Sequence, residues 1–164
     1  MSIEILSLHK ENKIYTDIYV LPNFSHLLVS SHYDLWEDVT DEEIKSLINL
    51  DKSFREIKKL VWNRFGLITK ISSCVRSLLT NTKIGGSKSS QHMFLEAFDL
   101  HFYKIDGKTR VYEKKILLEI FEAIDEKFGK KIVQLFRYSW GIHVGFFTER
   151  KQVTYRRGAL WNVN

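Results

Sequence analysis

The groups in this 164-residue chain that could bind a metal or move a proton are 20 carboxylates and six histidines, His9, His26, His32, His92, His101 and His143. The single cysteine, Cys74, excludes an intramolecular disulfide and a multi-cysteine zinc site. A metal would therefore need imidazole and carboxylate ligands. As a nucleophile Cys74 is a weak candidate, because a lone cysteine beside Val75 reads as a small buried hydrophobe. The informative segment is GGSKSSQHMFLEAFDL, where His92 leaves a polar loop with two glycines and Asp99 follows inside an apolar run, between Phe98 and Leu100. A carboxylate turned inward among such neighbours needs a partner. A metal would be one such partner, and an arginine such as Arg76 another. His143 stands in GIHVGF. In a strand, Ile142 and Val144 would take the opposite face, and the imidazole would share its face with Gly141 and Gly145, which would leave open space beside it. Two imidazoles, one carboxylate and a fourth position for water are the ligand set of a catalytic zinc site. Spacing alone leaves many ways of pairing six histidines.

The elements that must position these residues are legible in outline. Residues 13–30, KIYTDIYVLPNFSHLLVS, are rich in β-formers and broken at Pro22-Asn23, which predicts two short strands around a turn. Next, Thr40 and Glu43 have capping-box spacing ahead of Ile44, Leu47, Ile48, Phe54, Ile57 and Val61. This pattern predicts an amphipathic helix over 40–65, with acidic residues at its positive end and Gly66 as a left-handed cap. LITKISS reads as a strand, residues 75–91 as a polar loop, and FLEAFDLHFY, 94–103, as an aromatic-rich strand followed by an Asp106-Gly107 turn. ILLEIFEAIDEKF, 116–128, has helical periodicity and is closed by Gly129. Strands are predicted at 132–138 and 141–147, with a short last one at 153–155. Helices first and strands later give an α+β domain.

Composition excludes several classes. With 44% hydrophobic and 27% charged residues the chain has the make-up of an ordinary globular domain, and no run approaches the ~18 apolar residues of a membrane span. The amino terminus, MSIEILSLHKENK, lacks the basic and apolar regions of a secretory signal, so synthesis in a cytoplasm is expected. A net charge of +5 favours anionic partners without naming one. Basic residues cluster at Lys127, Lys130, Lys131 and Arg137 and again in RKQVTYRR, but such runs more often form a solvated face than a nucleic-acid site.

The segment GGSKSSQHMFLEAFDL resembles the S-x-H-x-x-G-x-A-x-D motif of zinc D-alanyl-D-alanine carboxypeptidases and phage L-alanyl-D-glutamate endopeptidases, peptidoglycan-cleaving enzymes with a hedgehog-like α+β fold. The likeness extends to SHYDLWEDVTDEEIKSLINLDKSFREIKKLVWNRFG, which is similar to the helical lead-in of the phage-type members. ITKISSCVRS resembles their strand ending in T-S-G-Y-R-S, and WGIHVGF with RKQVTYRRG resembles their last strand and basic tail. Residues 31–158 are covered, so 1–30 read as an N-terminal extension and 31–164 as the peptidase-like domain. The resemblance implies a central antiparallel sheet with flanking helices. It also implies that His92, Asp99 and His143 ligate zinc, that Arg76 faces the substrate or an acidic group, and that Ser90 shapes the loop around His92.

The departures from the pattern concern bulk and charge. Leu95 stands where the motif has glycine, Phe98 where it has a small residue, and Cys74-Val75 replace Gly-Tyr. No Asp or Glu lies between Glu126 and Glu149, where the family places its general base; Val133, Tyr138 and Trp140 occupy the region instead. Glu96 would alternate away from Asp99 on a regular strand, and Glu149 lies beyond the ligand. Two readings follow from the resemblance. One is a zinc peptidase acting on peptidoglycan stem peptides. The other is a pseudoenzyme serving as a structural or adaptor part of a phage virion, released by lysis or packed into a particle.

Overall fold

Leu50, Phe54, Ile57 and Val61 recur at intervals of three and four, and in the computed structural model they form the buried stripe of helix α1 (Asp41–Phe65). The structure describes residues 41–74, 76, 78–146 and 156–160. The strands expected within 13–30 and the short one at 153–155 lie outside these residues, as does Thr40 of the expected capping box. The helix stops where predicted. Gly66, at φ +62°, donates its N–H to the Trp62 carbonyl at 2.9 Å, a left-handed closure that suits glycine.

After α1 come β1 (Ile68–Ser73), a short helix α2 (Leu78–Lys83), a 3-10 turn (Gln91–Phe94), β2 (Ala97–Tyr103) and α3 (Lys114–Phe128). A second 3-10 turn (Gly129–Lys131), β3 (Ile132–Tyr138), β4 (Ile142–Phe146) and β5 (Arg156–Leu160) follow. Two expectations need correction. The segment read as an unbroken loop, 75–91, contains α2, whose LLTNTK sequence is too short to show a period. The strand expected from Phe94 begins only at Ala97, because Leu95 turns into the left-handed region at φ +58° and ends the 3-10 turn.

The five strands form one sheet in the order β1-β2-β4-β3-β5. Four are antiparallel to their neighbours, and β5 joins the edge parallel to β3. Both long helices cover the same face. Phe54 of α1 meets Phe98 of β2 edge to face at 6.0 Å, and Phe128 of α3 meets Phe146 of β4 in the same way at 6.0 Å. Phe98, Leu100, Phe102, Leu135, Ile142 and Val144 project from the strands into this layer and have no exposed surface. This is the α+β architecture expected, with the helices on one side. The opposite face carries Asp99 and His143, which alternate with these apolar residues along β2 and β4.

Candidate metal centre

Three elements converge on the face away from the helices. Asp99 and His143 are register partners on β2 and β4, so their side chains emerge side by side. His143 Nδ1 lies 2.8 Å from Asp99 Oδ1. His92, delivered by the 3-10 turn, places Nε2 3.3 Å from the same oxygen, and the two imidazoles meet edge to face with centroids 5.1 Å apart. One ligand atom from each of the three residues lies within 4.8 Å of the others, and all three residues are buried.

The protonation logic of this cluster calls for a cation. A carbonyl can only accept, so the 2.8 Å contact of His92 Nδ1 with the Cys74 carbonyl puts a proton on Nδ1. In the neutral ring Nε2 then carries a lone pair and faces a carboxylate oxygen. Such an arrangement is repulsive unless a proton or a metal ion sits there. Backbone-held imidazoles of this kind are the usual outer support of metal-binding histidines. Burial opposes ionisation of Asp99, yet the charge of His92 and the hydrogen bonds from both imidazoles hold its carboxyl well below the usual range. Burial pushes the His143 imidazole down, with the Asp99 carboxylate opposing, so the neutral ring is favoured. Its Nε2 is buried and has no hydrogen-bond partner among the described residues. Two imidazoles and a carboxylate in a buried setting fit Zn²⁺ by ligand type and number.

Arg76 stands behind the carboxylate. Its Nη2 lies 3.8 Å from Asp99 Oδ2 and donates to Ser73 Oγ at 3.1 Å, while Nη1 donates to Asn81 Oδ1 at 3.3 Å. A register shift between Ile71 and Ser73 sets Ser73 opposite Asp99, which makes the first of these bonds available. Asn81 is buried. Its Nδ2 donates to the Ser87 carbonyl at 2.8 Å, and a Cβ on Gly86 would collide with its amide oxygen. The arginine is thus tied to the glycine loop through Asn81.

Most of the sequence-derived set comes together here. His92, Asp99 and His143 form the cluster, and Arg76 faces an acidic group, which is Asp99 itself. Both partners considered for Asp99, metal ligands and an arginine, border it at once. Ser90 caps the 3-10 turn without a side-chain hydrogen bond and acts through its backbone: its N–H donates to the Ser87 carbonyl and its carbonyl accepts from Met93. The expected open space beside His143 is absent. A Cβ on Gly141 would lie 2.1 Å from the Leu100 carbonyl oxygen, and one on Gly145 would lie 1.7 Å from Gln91 Oε1. These glycines admit close neighbours and leave no void. In the sequence Asn81 and Gln91 look like ordinary loop polars; their proximity to paired glycines and to His92 is the available signal.

Beyond the cluster the same face is aromatic. The His143 ring lies 5.8 Å from Phe136, and Tyr138 stacks on Trp140 at 4.6 Å with the rings 6° from parallel. His101 meets the edge of this stack at 5.6 Å from Trp140. Burial and the nearby Arg110 push His101 down to about 4, with Asp99 opposing. Burial and the Asp99 charge together push the Tyr138 phenol up. Asp99 is the cluster's one carboxylate among the described residues.

The fold and the cluster define a class: an α+β domain with a buried His-Asp-His set of the kind that could hold a metal ion. Residues 36–115 match the family model described as Peptidase M15. The matched segment contains Arg76, Ser90, His92 and Asp99, and His143 lies beyond its end. The matched stretch is a little under half of the chain, and what it shows is a likeness to the M15 peptidases, which are zinc-dependent. No curated protein is similar at a significant level. Among the described residues no helix is long and apolar enough to cross a membrane.

Proposed function

We propose that this chain is a phage-type zinc peptidase that acts on peptidoglycan stem peptides, as a carboxypeptidase or an endopeptidase. The observation that carries the reading is the approach of His92 Nε2 and His143 Nδ1 to a single oxygen of Asp99. His92, Asp99 and His143 would hold the ion. Zinc bound there would supply a Lewis acid that polarises a peptide carbonyl and lowers the pKa of its water to about 7. The chain's own contribution is placement. Cys74 fixes the His92 tautomer through its carbonyl, and Asn81 and Ser73 hold the Arg76 fork. The remaining N–H groups of Arg76 suit a stem-peptide carboxylate. Ser90 would shape the loop around His92.

One observation favours a second reading. The stretch before His143 offers the stacked Tyr138 and Trp140 rather than a carboxylate. Without a general base, proton transfer worth roughly 10²- to 10⁴-fold in rate is lost. In this reading the chain is an inactive structural or adaptor component of a virion. Metal analysis of the wild type and of His92→Ala, paired with an assay for soluble peptides released from purified peptidoglycan, separates the two. Stoichiometric zinc with peptide release, both lost in His92→Ala, is the result expected of the peptidase. Zinc without release in either protein supports the structural component, and a wild type with neither overturns the peptidase.

A further inference from the structure

We propose that Gln91 is a positioning residue for the metal centre, fixing the distance between the turn that carries His92 and the strand that carries His143. The inference rests on the reading that these histidines, with Asp99, hold a metal ion.

Gln91 immediately precedes His92, yet its side chain leaves the turn and crosses to β4. Its Nε2 donates to the Phe146 carbonyl at 2.9 Å, three residues beyond His143. The other half of the amide lies against Gly145, since an ideal Cβ there would stand 1.7 Å from Oε1 and 2.7 Å from Cδ. Gly145 is on the same strand face as His143, two residues away. Backbone bonds complete the tie at both ends. The Gln91 carbonyl accepts from the N–H groups of Leu95 and Glu96, and the Glu96 carbonyl accepts from the Phe146 N–H at 2.9 Å. One amide plane is thus wedged between the two elements whose spacing sets the gap between the imidazoles.

The character of the contact argues for position rather than for packing. Gln91 is 2% exposed, and its Oε1 is buried with no hydrogen-bond partner among the described residues. An aliphatic side chain of similar length would fill the volume without leaving an acceptor unmet. What it could not supply is the directional bond to β4. Outer-shell ties of this kind tune metal sites because a ligand must be held to within a few tenths of an ångström.

The test uses the full chain, with zinc affinity measured by chelator competition and the visible absorption of the cobalt(II)-loaded protein as a reporter of coordination geometry. Gln91→Leu is expected to weaken zinc binding by about tenfold or more. It should also alter the cobalt spectrum while the metal-free protein still unfolds cooperatively. Gly145→Ala should do the same by pushing the amide aside. In a Gln91→Ala background the two obstacles under 3 Å are gone and the next, Gln134 Cβ, stands 3.3 Å from the added methyl at position 145, so Gly145→Ala should cost much less there. This non-additivity is read even if Gln91→Leu folds poorly. Additive losses, or a wild-type affinity and spectrum in Gln91→Leu, would overturn the assignment of Gln91 while leaving the metal site standing. A wild type that binds neither zinc nor cobalt would overturn both.

Discussion

β2 serves two opposite purposes on its two faces. Phe98, Leu100 and Phe102 enter the layer beneath α1 and α3, while Asp99 and His101 alternate with them on the other side. Asp99, with His143 and His92, is nearly as hidden as the phenylalanines. Concealment alone therefore does not distinguish core from site. On the helix face stability comes from removing apolar surface from water, about 25 cal/mol for each Å². On the other face it comes from hydrogen bonds and charge that offset desolvation, and nothing there is gained unless each partner is present. The first face should respond to lost volume and the second to lost charge.

The sharpest way to break this contrast is to exchange the two kinds of damage. Phe98→Ala, on the helix face, is expected to cost ~3–5 kcal/mol in urea unfolding, and a loss below ~1 kcal/mol would show that this face is not a tightly packed core. Asp99→Asn keeps shape and removes charge. It should lower zinc affinity more than about 100-fold, beyond the loss of an outer-shell partner, and change metal-free stability less than Phe98→Ala does. Equal damage by both measures would erase the distinction between the faces.

Acid should act on one face only. Free histidine titrates near 6.5, whereas His101 is held down at about 4 and His143 is also depressed, so both bind protons more readily in the unfolded chain. Metal-free stability should accordingly fall as the pH drops from about 6.5 towards 4. The depressed carboxyl of Asp99 adds stability that is whole above its unfolded value near 3.9 and is lost as the pH falls below that. Denaturation midpoints taken along this range check the sign; a midpoint that rose on acidification would contradict it. His101→Gln should flatten the upper part of the slope.

The smallest effect is expected where the two faces meet. Leu95 is a buried apolar residue held at φ +58°, a conformation that costs a side-chain-bearing residue roughly 1–2 kcal/mol. Its full burial contributes roughly 1.5–3 kcal/mol. Leu95→Gly relieves the first term and removes the second. The net loss in unfolding free energy should therefore be no more than ~2 kcal/mol. A loss of ~3 kcal/mol or more would mean that the left-handed turn carries no strain.

How much of this was legible depended on distance along the chain. His92 and Asp99 stand seven residues apart in one segment, so spacing marks that segment as informative, and its resemblance to a zinc-peptidase motif pairs the two. His143 joins only because β2 and β4 adopt one particular register, which no local pattern specifies. Long helices announced themselves by period, whereas α2, six residues of mixed polarity, did not. The replacement of glycine by Leu95 was visible, but the left-handed backbone that explains the preference for glycine was not. The glycines beside His143 mislead for a related reason. A missing side chain looks like space in a sequence, and in the folded chain that space belongs to the Leu100 carbonyl and to Gln91.

The pairing of Asp99 with His143 also bears on how the chain reaches this state. Sliding β4 by one residue against β2 would turn His143 toward the helices and Val144 toward Asp99, since side chains alternate with a period of two. A mispaired sheet would thus lose its His-Asp-His cluster and its core together. An ion that needs all three ligands would recognise only correctly aligned strands, and would act during folding as a proofreader, trapping the one alignment in which the chemistry and the packing agree.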